Sequence, residues 1–170
     1  VSVPATRTLI TGMSATGKTS TIRRLAELGH HAVDLDADEW SHLVPDGSEY
    51  ADPEADTPLD WRWREGEVRA LLDAAPGPLF VAGTSTGQAS FYPALEHVVT
   101  LMVPTDVAMS RLASRTVHEY GKGPDELRRE LNLRETVGPQ LSAGACLVID
   151  TSVHSVHEVT AIVLGHAGMA

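Results

Sequence analysis

Apolar residues in this chain fall into short unbroken runs, and the runs alternate with stretches of helical spacing. Arg7 to Thr11 (RTLIT) ends at a glycine and predicts a buried strand. From Lys18 to Leu28, Ile22, Leu25, Ala26 and Leu28 recur with helical period, and Gly29 follows as a cap. His31 to Leu35 predicts a second strand, Asp38 to Leu43 the start of a helix, and Pro45 to Pro58 a loop rich in Pro, Gly, Asp and Ser. Trp61 to Ala74 predicts a helix with Trp61, Val68, Leu71 and Leu72 facing the core, stopped by Pro76-Gly77-Pro78. Strands are predicted at Leu79 to Ala82, Val98 to Val103 and Leu147 to Asp150. Helices are predicted at Thr105 to Arg115, from Pro124 to about Val137, and from Val156 to about Leu164, with a turn at His118 to Gly123. Continuous apolar strands alternating with helices predict a parallel sheet covered on both faces, an α/β fold.

With 170 residues, no internal repeat and no linker, the chain reads as a single domain over residues 1–170. The net charge of −10 argues against a polynucleotide partner. No apolar run approaches the roughly 20 residues of a membrane span, and no secretory signal is seen, so the expected compartment is the cytoplasm. The single cysteine, Cys146, excludes an internal disulfide and a cysteine-based zinc site; inside Cys-Leu-Val-Ile it reads as a small core residue. Charge is unevenly placed. Ten carboxylates and no Lys or Arg lie between Asp34 and Asp60, whereas six of the thirteen basic residues lie between Arg111 and Arg134.

Residues 12–19, Gly-Met-Ser-Ala-Thr-Gly-Lys-Thr, are a complete G-x-x-x-x-G-K-[ST] pattern between a predicted strand and a predicted helix. Glycines let the backbone bend until successive N–H groups face one phosphate, and the helix start adds its positive dipole end. The reading makes Gly12, Ser14, Ala15, Thr16, Gly17, Lys18, Thr19 and Ser20 a triphosphate cradle for ATP. Lys18 would reach the β and γ phosphates and Thr19 would ligate Mg²⁺.

Two further patterns stand at chemically useful places. Asp34-Leu-Asp-Ala-Asp38 follows the second strand, where ligands of open α/β sheets bind. Arg111-x-x-x-Arg115 places two guanidinium groups on one helical face, suited to the charge that develops in phosphoryl transfer. Arg128 and Arg129 read as ordinary charged helix surface.

In this order, Gly12–Thr19, Asp36-Ala-Asp38 and Arg111-x-x-x-Arg115 resemble the shikimate kinase, gluconate kinase and adenylate kinase group of P-loop kinases, over nearly the whole chain. The resemblance implies a five-stranded parallel sheet in the order 2-3-1-4-5, a mobile lid at about 116–134 and an acceptor-binding segment at about 38–64. It implies Asp36 for Mg²⁺, Asp38 for the acceptor hydroxyl, Arg111 near the adenine or phosphates, and Arg115 and Arg134 as lid arginines. It also implies an adenine-contacting loop at Thr151, Ser152 and Val153. The loop Gly83-Thr-Ser-Thr-Gly-Gln88 would face the acceptor through Gly83, Thr84, Ser85 and Gln88.

Departures matter. The third strand ends Val81-Ala82-Gly83 without the usual metal-side Asp, so Asp36 would take that role; whether Asp36 or Asp38 is the base stays open. Arg62, Arg64 and Arg69 compete to face the acceptor. Trp61 is assigned to packing, Trp40 and Trp63 to ligand contact. The acidic stretch favours a neutral or cationic hydroxyl compound, such as an amino-sugar or polyol. The expected activity is ATP-dependent phosphorylation of a small-molecule hydroxyl by a monomer or homodimer. Two alternatives are a nucleoside or nucleoside-monophosphate kinase and a nucleotide-binding regulatory protein with slow or no ATP hydrolysis.

Overall fold

The computed structural model describes residues 5–48, 51, 56, 58–115 and 123–169. The chain runs β1 (Arg7–Thr11), α1 (Lys18–Glu27), β2 (His31–Asp34), β3 (Ser41–Pro45), β4 (Leu59–Trp63), α2 (Glu65–Ala74) and β5 (Leu79–Ala82). A 3-10 helix (Gln88–Ala94) leads into β6 (His97–Met102), α3 (Thr105–Ser114), α4 (Pro124–Thr136), α5 (Gly138–Ala143), β7 (Leu147–Asp150) and α6 (Val156–His166). Five strands form a parallel sheet in the order β2-β5-β1-β6-β7, the 2-3-1-4-5 order expected once β3 and β4 are set aside.

Consecutive residues of the central strands serve opposite faces, which explains their unbroken apolar runs. On one face Ile10, Phe80, Val99 and Leu101 pack with Ile22 and Leu25 of α1 and Val159 and Val163 of α6. On the other, Leu9, Leu79, Val81 and Val98 pack with Val68 and Leu72 of α2 and with Trp63 and Phe91.

The segment between β2 and α2 differs from expectation. No helix begins at Asp38; a turn leads directly into β3, and β3 pairs antiparallel with β4 from Ser41↔Trp63 to Pro45↔Leu59. The helix expected from Trp61 starts only at Glu65. In Trp61-Arg62-Trp63 the aromatic residues alternate with a charged one, a two-residue period that suits a strand, and the side chains of Trp and Arg fit a half-buried pleat. Trp63 is the buried tryptophan, 4% exposed and edge-on to Phe91 at 5.4 Å, while Trp61 is only partly buried. The packing role assigned to Trp61 therefore belongs to Trp63. Cys146 is exposed rather than in the core. It precedes β7, the sheet's edge strand, in which Ile149 alone is buried, so apolar neighbours in sequence do not cover it. The expected turn at 118–123, apart from Gly123, and residues 116–122 of the expected lid lie outside the described residues. Among the described residues no helix is long and apolar enough to cross a membrane.

Arg7 ties β1 to the end of α2. Its guanidinium donates to the carbonyls of Leu72 (2.7 Å), Ala75 (2.8 Å) and Gly77 (3.0 Å), oxygens that a terminating helix leaves without partners. Replacing Arg7 by Met should lower stability by about 2–3 kcal/mol, the range for losing charged hydrogen bonds to part-buried carbonyls. Urea unfolding reads this directly; an unchanged midpoint would show that water replaces the guanidinium without loss.

Candidate active site

The site is built where β1, β2 and β5 end side by side. Ile10 and Asp34 are both in register with Ala82, so the three strands release their chains at one level. From β1 the chain enters the loop 12–17 and then α1. Ala15 (φ 63°) and Gly17 (φ 100°) adopt left-handed backbone, the alternation that turns successive N–H groups inward and makes an anion-binding nest. Gly12 is obligatory for space: a Cβ there would run into the carbonyl of Leu101 and lie 2.8 Å from Thr16 Oγ1. Thr16 donates to the Met13 carbonyl at 2.8 Å and braces the turn from within.

Lys18 opens α1 and folds back over the loop. Its Nζ donates to the carbonyls of Gly12 (2.7 Å) and Met13 (3.3 Å) and lies 3.8 Å from Asp36 Oδ2. Asp36 Oδ1 accepts from the Thr84 amide at 3.1 Å, and the Trp63 indole edge faces the same carboxylate without a well-formed hydrogen bond. Protein surrounds Asp36 on most sides, though 32% of its side-chain surface is open. Burial pushes its carboxyl above the usual value, against the opposing pull of Lys18 and the Thr84 N–H. Gly83 leaves this carboxylate its room: a Cβ would stand 2.8 Å from Asp36 Oδ1 and 3.1 Å from Trp63 Nε1.

Thr19, one residue into α1, donates to Asp34 Oδ2 at 3.1 Å, and Asp34 Oδ1 accepts from the Asp36 amide at 3.1 Å. The acidic residues thus stand at different distances from the loop. Asp34 stands beside the Thr19 hydroxyl, Asp36 stands beside Lys18, and Asp38 is exposed in the turn that follows. The physical reason is register: Asp34 is the last residue of β2, level with the start of the loop, whereas Asp38 has already passed the turn.

The loop after β5 divides in two. Thr84 belongs to the site: its hydroxyl donates to the Gly12 carbonyl (2.6 Å) and accepts from the Gly12 amide (3.3 Å). Ser85 and Gln88, expected to face the acceptor, are buried instead. Ser85 Oγ accepts from the Trp63 amide at 3.0 Å. Gln88 accepts from the Ser85 amide at 3.1 Å and donates to Thr11 Oγ1 and Tyr92 Oη at 3.2 and 3.0 Å. They frame the loop, because polar groups this deep need protein partners. Trp63 is likewise committed to the core, which corrects its expected role as a ligand contact. Trp40 packs partly buried against that same cluster.

On the other flank Arg111 of α3 donates to the Ala15 carbonyl (3.1 Å), to Thr151 Oγ1 (3.0 Å) and to the Thr151 carbonyl (2.8 Å). Thr151 Oγ1 donates in turn to the Thr16 carbonyl at 2.8 Å, so the loop after β7 is tied to the phosphate loop twice. Ser152 donates to Asp150 Oδ1 from both its amide (2.8 Å) and its hydroxyl (2.6 Å), which holds the exposed Asp150 carboxyl below the usual range. Val153 is 71% exposed, an apolar face beside this loop. Arg115 sits partly buried at the end of α3, next to the residues outside the described part.

The helix α4 spans the site. Arg134 donates to the Ser14 carbonyl and pairs with Glu130 at 3.0 Å, both side chains almost fully buried. Burial pulls the Arg134 guanidinium below its ordinary value, and Glu130 partly restores it. Arg134 also borders a cavity of about 250 Å³ formed with Met13, Thr16, Met102 and Leu141. Five residues earlier, Arg129 donates to the Leu59 carbonyl at 2.8 Å and lies 3.5 Å from Asp46 and 3.9 Å from Asp60. One helix therefore touches both the phosphate loop and the β3-β4 hairpin. Arg129 is more than the surface charge its sequence suggested; the only cue was a basic helix facing an acidic segment.

Chemically the assembled groups fit a nucleoside triphosphate with a hard divalent cation. The loop presents amides and an ammonium to phosphate oxygens, and Thr19 with Asp34 offers the oxygen donors that Mg²⁺ prefers. No protein-family model and no curated protein sequence matches the chain. Solved structures do. A shikimate kinase from Acinetobacter baumannii in complex with shikimate superposes with a TM-score of 0.63 at 17% identity, covering 95% of this chain and 92% of that one. A gluconokinase from Sinorhizobium meliloti 1021 gives 0.56 at 18% identity over 99% and 94%. A sugar kinase from Janibacter sp. HTCC2649 gives 0.55 at 14% identity over 98% and 96%. The chain thus has the fold shared by P-loop small-molecule kinases.

Proposed function

We propose that this protein transfers the γ-phosphoryl group of ATP to a hydroxyl of a small molecule, with Asp36 as the residue that receives the acceptor's proton. The supporting observation is the juxtaposition of Lys18 and a largely enclosed Asp36 at the strand ends, between the phosphate loop and the hairpin. The nest 12–17 and Lys18 hold the triphosphate. Thr19 and Asp34 would hold Mg²⁺, which when bound would draw charge from the triphosphate oxygens. Arg111, Thr151, Ser152 and Val153 form the edge on which the adenine rests. As the acceptor oxygen forms its bond to the γ phosphorus, the bond from that phosphorus to the β,γ-bridging oxygen breaks. The acceptor proton passes to Asp36, and ADP leaves with the electron pair. A carboxyl raised by burial is a better base for this step than a fully solvated one. Lys18 and Arg134 stabilise the charge that moves toward the leaving oxygen.

The acceptor fits best as an uncharged or cationic hydroxyl compound. The arginines that an anionic acceptor would need are already engaged: Arg62 with Asp60 at 2.9 Å, Arg64 with His42 at 3.2 Å, and Arg69 over the Phe91 ring at 4.5 Å. This weighs against a nucleoside-monophosphate acceptor.

Three outcomes test the proposal. Lys18→Ala should cut turnover on the order of a thousandfold with the fold retained; normal ADP production by that variant defeats the mechanism. Asp36→Asn should lower kcat by roughly 10²–10⁴ while ATP binding stays unchanged, whereas Asp38→Asn should be close to wild type. The reverse ranking would return the base to Asp38. Asp36 also predicts a stability signature. Its folded-state value is raised, so its stabilising contribution is present below the ordinary carboxylate value and is lost as pH rises through the folded one. Asp36→Asn should therefore gain stability over wild type as pH climbs above about 4, then reach a plateau. Paired urea titrations across pH measure this, and a pH-independent difference would contradict the enclosed carboxylate. A broad panel of hydroxyl compounds read by ADP release identifies the acceptor; ATP binding without acceptor-dependent release would favour a regulatory nucleotide sensor.

A further inference from the structure

At the opposite end of the sheet from the phosphate loop, three side chains distant in sequence meet. His97 opens β6, Cys146 immediately precedes β7, and His166 closes α6. Their donor atoms all lie within 4.8 Å of one another. Cys146 Sγ is 3.2 Å from His166 Nε2, and the two imidazole rings sit edge to face with centroids 4.9 Å apart. Tetrahedral zinc with ordinary Zn–S and Zn–N bonds places its donors about 3.3–3.6 Å apart. The sulfur and the His166 nitrogen, 3.2 Å apart, stand just inside this spacing, and a modest turn of each imidazole brings the three donors to it.

We propose that His97, Cys146 and His166 form a binding site for a borderline transition-metal ion of the Zn²⁺ class. Two independent features support it beyond proximity. The Val98 amide donates to Cys146 Sγ at 3.3 Å, a hydrogen bond of the kind that stabilises metal-bound thiolate, while the thiol donates to the Val98 carbonyl at 3.2 Å, a bond that the S–metal bond would replace. The site also lies at the C-terminal end of α6, where the helix dipole favours a cation. The donor set is one sulfur and two imidazole nitrogens, which selects against Mg²⁺ and separates this site from the nucleotide site. The length of β6, about 16 Å, separates them. Cys146 is exposed and His97 only half-buried, so the ion enters from solvent and a water completes the fourth position. On binding, the Cys146 thiol proton is released to solvent and the S–metal bond takes its place. A cysteine-based zinc site was excluded on the cysteine count, but sequence spacing could not show that two histidines from other elements converge on that one sulfur.

The test uses Co²⁺ as a spectroscopic stand-in for Zn²⁺ with the full chain. Because Cys146 is the chain's one cysteine, any thiolate-to-cobalt charge-transfer band in the near ultraviolet reports this residue. The expected result is that band at one Co²⁺ per chain, displaced by Zn²⁺, with visible d–d bands of tetrahedral intensity. His166→Ala should weaken Co²⁺ affinity about 100-fold, Cys146→Ser should abolish the band, and Zn²⁺ should raise the Tm of wild type but of neither variant. Absence of the band would overturn the proposal. So would a band that persists in the double variant His97→Ala/His166→Ala, which would mean a thiol binding metal alone or bridging two chains.

Discussion

The parallel register of β1, β2 and β5 is the constraint on which the site rests. Ile10, Asp34 and Ala82 form one row, and beyond that row each strand hands over to a turn. β1 gives the anion nest, β2 the carboxylates and β5 the Gly83-Thr84 pair. A slip of one residue in a parallel strand would move the whole set, and with it the contacts of Lys18 with Asp36 and of Thr19 with Asp34. Thr84 locks the row. Its amide holds Asp36 while its hydroxyl exchanges hydrogen bonds with both polar groups of Gly12, so the loop after β1 and the acidic segment after β2 are joined through one residue.

Around this row the rest of the fold supplies cations rather than framework. Arg111 reaches Ala15 and Thr151 from α3, and Arg134 reaches Ser14 from α4. Both bind carbonyl oxygens of the phosphate loop, the side away from the inward-facing amides. Each arginine gives a loop carbonyl a hydrogen-bond donor and so fixes the path of the loop. Glu130 keeps Arg134 aimed inside a buried pair. Such a pair adds little net stability, and its retention is better understood as fixing where a guanidinium stands. Arg129 extends the same helix to Asp46 and Asp60 of the hairpin, so the acidic segment is the counter-surface for a basic helix.

What was legible in the sequence follows from how local each signal is. The phosphate loop was fully legible, since a contiguous eight-residue pattern encodes its own geometry. The sheet order followed from resemblance and strand count. The acidic triplet was legible as a group but not in its roles. Three carboxylates at every second position look alike until the strand's last residue is known, and that is set by pairing with β5. The hairpin was not legible because Trp61 fits a helical period when counted with Val68, Leu71 and Leu72, and a two-residue period when counted with Trp63. Ser85 and Gln88 were placed in the right loop with the wrong direction, since burial of a loop side chain depends on what packs against it. Cys146 was misjudged for the same reason: nothing local says that β7 is an edge.

Asp36 shows how the fold and the chemistry pull against each other. Partial enclosure disfavours the charged form of the Asp36 carboxyl, while the solvent that still reaches it, Lys18 and the Thr84 amide work in the opposite direction. Lys18 stands at 3.8 Å, yet Lys18 also bonds the Gly12 and Met13 carbonyls and is not a dedicated partner. A structure selected for stability alone would place an amide or an apolar residue here, or turn the carboxylate outward as Asp38 is turned. A carboxylate kept beside a lysine, with Gly83 left bare to make room for it, is the feature on which the proposed role of Asp36 as proton acceptor rests.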